Sequence, residues 1–224
     1  MKKILLIHNK YRYMGGEDIA VENELSFLKE KFEVETLFFE NDITNFLSEI
    51  KSFLLNKNSK SVKKLNKKIN EFQPDIAYVH NTWFKASVGI FEFLEKQNIQ
   101  TLLKIHNFRY FCTKNFLAKN HFQDRLFCKA CGLNRASMGI FNKYFQDSYL
   151  KSLISIRYGK KYFKILKNSN LKILVLTDFH KKYLEKLGVD KSKLYIFRNY
   201  LDVNKSIKSA NNENYIIYAG RISK

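Results

Sequence analysis

Residues 102–107 read Leu102-Leu103-Lys104-Ile105-His106-Asn107: a short apolar run that stops at an imidazole and an amide. The same ending occurs twice more. Ile4-Leu5-Leu6-Ile7 leads into His8-Asn9, and Ile76-Ala77-Tyr78-Val79 leads into His80-Asn81. Short runs rich in Ile, Leu and Val, set between helical patterns, read as buried parallel strands. In an open α/β sheet, ligands sit outside the carboxyl ends of the strands. Three imidazoles and three amides are therefore expected along one edge of one sheet. Any strand leaving a core meets polar residues, so one such pair means little; three together mark a candidate site.

Outward from these runs the chain alternates. Strands are expected at about 3–8, 33–39, 76–80, 101–106, 172–176 and 194–198, with a last one at 215–219. Helices are expected at about 18–31, 42–55, 60–72, 86–97 and 144–168, with another opened by Thr177 or Asp178 and closed by Gly188. Asp42 is the expected N-cap of the second helix, and Pro74, the only proline, closes the third. Such alternation predicts an α/β fold with a doubly wound parallel sheet. Residues 107–135 break the rhythm and hold all three cysteines.

Composition sets the class. Of 224 residues, 45% are hydrophobic and 15% aromatic, enough for a core and against disorder. No apolar stretch approaches the ~20 residues of a membrane span. Strand-like sequence begins by Ile4, so no leader peptide is expected, and three cysteines do not form a secreted disulfide framework. The expected location is cytoplasmic. The formal net charge of +19 attracts polyanions: anionic lipid, phosphorylated substrates or nucleic acid, unless lysine simply fills ordinary solvated faces. Two helical patterns carry basic faces, Lys60, Lys63, Lys64, Lys67 and Lys68 on one, Arg157, Lys160, Lys161 and Lys164 on the other. Such faces could rest on an anionic membrane surface.

Three constellations carry chemistry. Gly15-Gly16-Glu17 follows the first strand; glycine permits a tight turn and close backbone approach, and the helix amino terminus favours anions. Glu17 and Asp18 already occupy that field, so hydrogen bonding to sugar hydroxyls is as plausible as phosphate binding. His106 can exchange a proton or hydrogen-bond a substrate oxygen, and Arg109 can bind a phosphate through two parallel hydrogen bonds. Cys128-Lys129-Ala130-Cys131 has the spacing of a metal knuckle; with Cys112 and His121 it could hold a structural zinc, the alternative being reduced structural cysteines.

Taken together, these residues resemble a family. Gly15-Gly16, His106-Asn107-x-Arg109, and Cys112 with Cys128-x-x-Cys131 are similar to the amino-terminal domain of GT4-type glycosyltransferases of the GT-B fold. Residues 175–202 resemble the end of that domain, and Tyr218-Ala219-Gly220-Arg221 resembles the start of the family's second domain. The resemblance implies a Rossmann-like acceptor-side domain at 1–203, a linker at 204–213, and the first strand of a donor-binding domain at 214–224. It implies transfer of a sugar from a nucleotide-sugar to a polysaccharide or lipid-linked acceptor, with anomeric retention and no metal required. His106 would touch the transferring sugar. Gly15, Gly16, Glu17, His80, Asn107, Arg109 and Asn199 would bind substrate, and Arg221 would neutralise the departing diphosphate. The donor pocket lies mostly in the second domain, so this chain alone is expected to be inactive. The rival reading is a basic Rossmann-like module binding nucleic acid or anionic lipid, with nucleic acid the less favoured partner.

Overall fold

A computed structural model of the chain describes residues 1–11, 14–40, 58–83, 85–112 and 148–201. Six strands, β1 (Lys3–Lys10), β2 (Glu33–Glu40), β3 (Ile76–Val79), β4 (Gln100–Ile105), β5 (Leu171–Val175) and β6 (Leu194–Ile196), form one sheet of order β2-β1-β3-β4-β5-β6. All five pairings are parallel. Among the described residues five α-helices accompany them: α1 (Gly16–Lys29), α2 (Ser59–Phe72), α3 (Gly89–Lys96), α4 (Tyr149–Asn168) and α5 (Asp178–Lys186).

Strand alternation sorts the core into two layers. Leu5, Ile7, Ala77, Val79, Leu103, Ile105, Ile173 and Val175 face a layer built from α2, α3, α4 and α5, with Leu65, Phe91, Leu94, Tyr162 and Leu184 among its members. Ile4, Leu6 and Tyr78 face the other way, against Val21, Leu25 and Leu28 of α1. With helices on both faces of a parallel sheet, this is the expected Rossmann-like, doubly wound α/β fold. The strand order reverses between β1 and β3, which places the ligand crevice at their carboxyl ends.

Where helix starts differ from the pattern-based reading, local chemistry explains it. α1 opens at Gly16, two residues early, because the Asp18 carboxylate accepts the Gly15 backbone N–H at 2.8 Å and closes the first turn. α3 opens at Gly89 because Ser87 is left-handed (φ 60°) and its N–H returns to the Thr82 carbonyl at 2.9 Å. Thr177, one of the two candidates, caps α5 by accepting the His180 N–H at 3.1 Å. Gly188 terminates that helix at φ 83°, as its position after the apolar stripe predicts. The expected helix at 42–55, its cap Asp42, most of the cysteine insert, the linker and the final strand lie outside the described residues.

Candidate functional site

The three His-Asn pairs do reach one edge, at unequal heights. Ile7 pairs with Val79 and Val79 with Leu103, so His8 and His80 stand level with Lys104, and His106 lies two residues further out. All four side chains belong to the α1 side by strand alternation. The amides have other duties. Asn9 accepts the Ala86 N–H at 2.9 Å; Asn81 accepts the Trp83 N–H at 2.9 Å and donates to the Asn9 carbonyl at 2.8 Å. Asn9 and Asn81 thus fix the loop after β3 rather than present free amides.

The imidazoles are packed and uncharged. His80 Nδ1 and His106 Nε2 share a hydrogen bond of 3.0 Å, with rings stacked at 5.3 Å. Burial, assisted by the Lys104 charge, pushes the His106 pKa down to about 3. Burial also holds His80 well below its ordinary range. His8 Nε2 donates to the Asp18 carboxylate at 2.9 Å, yet burial outweighs that partner and lowers its pKa too. Of the two roles expected of His106, proton exchange or hydrogen bonding to a substrate oxygen, the lowered pKa favours the second. At neutral pH it hydrogen-bonds as a neutral ring, because ionising it beside Lys104 in a dry site is too costly.

Under this row lies a buried ion pair. Glu24 of α1 and Lys104 of β4 are in direct contact, each 1% exposed or less, and the Tyr78 hydroxyl donates to Glu24 at 2.6 Å. His80 Nε2 is 3.9 Å from the same carboxylate. Both charges sit where a sequence pattern expects apolar residues: Glu24 three residues after Val21 on the inner stripe of α1, Lys104 inside the run of β4. That misplacement is the signal by which they could have been found.

The carboxylate that lines this site is Glu17. Its carboxylate accepts the Tyr11 hydroxyl at 2.9 Å and a hydrogen bond from the Asn107 amide. Burial raises its pKa to about 7, against the opposing pull of those hydrogen bonds and of Arg109. Glu17 and His106 line one small cleft, shared with His80, Thr82, Asn107 and Arg109. The glycine turn is held beside it, since Asp18 ties Gly15 back to His8 and to the Tyr11 N–H at 3.3 Å.

Neither glycine uses a left-handed backbone: Gly15 is extended at φ −127°, and a Cβ on Gly16 would meet nothing within 4 Å. The tight-turn rationale for glycine does not hold here; open space beside Gly16 does. Gly16→Ala is expected to leave stability within about 0.5 kcal/mol, a surface-level effect. If a ligand approaches this backbone closely, the same variant weakens its binding; denaturant titration and ligand titration read the two effects separately.

Asn199 is exposed beyond β6 and does not line the cleft. Arg221, Cys128, Cys131 and His121 lie outside the described residues, while Cys112 is buried in the core after β4. Among the described residues no group of three His, Cys, Asp or Glu side chains could hold a metal ion. No helix among them is long and apolar enough to cross a membrane. Tyr158, which lines the cleft, and Trp83, whose ring carries the Arg109 guanidinium, were not singled out by sequence, for lone aromatics read equally well as core. Comparison with protein-family models and with curated protein sequences found no match.

Proposed function

We propose that this chain is the acceptor-side domain of a GT-B-type glycosyltransferase, which moves a sugar from a nucleotide-sugar to a polysaccharide or lipid-linked acceptor. The observation that carries the reading is the common cleft of Glu17, at the amino terminus of α1, and His106, at the carboxyl end of β4. Neutral imidazole, amide and carboxylate groups that alternate as donors and acceptors suit sugar hydroxyls, which are both. In this reading His106 receives or gives a hydrogen bond at the transferring sugar. Glu17, titrating near neutrality, can take the proton of an attacking hydroxyl. A second domain brings the nucleotide, and Arg221 meets its diphosphate.

Membrane proximity belongs to the same reading. Lys60, Lys63, Lys64 and Lys67 form an exposed face on α2, although Lys67 lies 3.7 Å from Glu71 and the less exposed Lys68 pairs with Glu35 at 2.8 Å. A lipid-linked acceptor would be met at such a surface.

Saturation-transfer NMR of the chain with a panel of monosaccharide glycosides tests the reading. A saturable saccharide contact is expected, weakened at least tenfold in His106→Ala, the scale of one lost buried hydrogen bond. Absence of saccharide binding, together with tight RNA binding that collapses with added salt, would favour the basic binding module instead.

A further inference from the structure

The cleft contains a cation that the fold does not neutralise. Arg109 is 6% exposed, and its guanidinium lies 4.3 Å from the centroid of the Trp83 ring. Among the described residues no carboxylate comes within 4.0 Å of it, and Nη1 is buried without a hydrogen-bond partner. The Arg109 backbone N–H is satisfied by Asn107 at 3.1 Å, so the loop is ordered by the main chain and does not need the charge. An arginine cannot shed its proton to escape burial, as a lysine can. A cation–π contact contributes about 0.5–2 kcal/mol, short of what a buried, unpaired charge costs. Trp83 fixes the guanidinium plane, and the fork of N–H donors matches two oxygens of a carboxylate or phosphate.

We propose that the cleft selects a sugar carrying an anionic group, a phosphate or a carboxylate, gripped by the Arg109 guanidinium while His106 and Asn107 meet the hydroxyls beside it. This rests on reading the cleft as the acceptor site and names the class of acceptor. Among the described residues the acid whose charge is coupled to Arg109 is Glu17, which also feels Asp18. Tyr11 and Tyr158 also lie within the field of Arg109, and Lys104, His80 and His106 line the same cleft. Glu17 titrates near neutrality, with a pKa of about 7. Protonated, it donates to the anion; ionised, it competes for Arg109. Anion affinity should therefore fall about tenfold between pH 6 and pH 8, the most that one linked proton at that pKa allows.

Calorimetric titration of the chain with a hexose 1-phosphate, a hexuronate and a neutral methyl hexoside tests the proposal, in wild type, Arg109→Met and Arg109→Lys. At least one anionic sugar is expected to bind ten times or more tightly than the neutral one; which of the two does so identifies the anion. Arg109→Met should abolish that preference while leaving the urea midpoint unchanged or higher, because an uncompensated buried charge is gone. Arg109→Lys should recover only part of it. Equal affinity for charged and neutral sugars would overturn the proposal. So would a preference that survives in Arg109→Met, or a Met variant that unfolds while the Lys variant binds fully. Binding of neutral sugars alone would leave the acceptor-domain reading intact and remove this one. Binding of inorganic sulfate, lost in Arg109→Met, with no saccharide bound, would overturn both and leave a bare anion site.

Discussion

Lys104→Met will lower the unfolding free energy by about 3–5 kcal/mol, a large share of the total for a domain of ordinary stability. The Nζ charge is fully buried, contacts Glu24, and lies 4.8 Å from the Phe197 ring centroid. Burial lowers the Lys104 pKa, while Glu24 opposes that shift and keeps the ammonium in place. Remove the lysine, and Glu24 remains as an isolated carboxylate with Tyr78 as its one close donor. The double variant Glu24→Gln/Lys104→Met should regain most of the loss, since buried pairs are roughly neutral against uncharged replacements. Urea unfolding of the single and double variants measures both. A loss under about 1 kcal/mol in Lys104→Met would show that water reaches the pair.

The second large effect is acid instability driven by histidine. His8, His80, His106 and His180 all have folded pKa values below the ordinary 6.5, with burial the first cause in each case. The two that can be placed lie at about 3 for His106 and about 4 for His180. Below pH 6.5 the unfolded chain binds protons that the folded chain refuses, so stability falls as pH falls through that window. Each fully refused proton costs at most about 2 kcal/mol between pH 7 and pH 5. Glu17 works in the opposite direction, because its raised pKa lets the folded state take a proton first as pH drops from 7. One such group does not offset four histidines. The urea midpoint should therefore drop steeply from pH 7 to pH 5. His180→Asn should flatten the slope in spite of losing the 2.7 Å bond to the Tyr110 hydroxyl. A midpoint independent of pH over this range would mean the rings are hydrated.

Periodicity revealed the sheet because each strand is short, apolar and bounded by polar residues, and because α2 carries its apolar stripe of Leu65, Ile69 and Phe72 at helical spacing. The meeting of Glu17 with His106 was legible only as a topological expectation, that loops after parallel strands converge. Periodicity does not reveal register. The offset that sets His106 beyond Lys104 comes from the pairing of β3 with β4, and the sequence shows only that three motifs end alike. The Glu24–Lys104 pair joins residues 80 positions apart, so its partners are unreadable even though each charge is conspicuous in its own stripe. The solitary state of Arg109 is likewise a fact of three dimensions, since Glu17, Asp18 and Trp83 reach or miss it only after folding.

The claim on which the account turns is that the glycine-led start of α1 and the end of β4 form one ligand site. Titration of isotope-labelled chain with the best-binding saccharide, followed by NMR, tests it directly. Glu17 and His106 resonances are expected to shift together, saturating at one concentration and failing together in Arg109→Met if the sugar is anionic. Shifts at one of the two without the other, or confined to the lysines of α2 and abolished by salt, would contradict it.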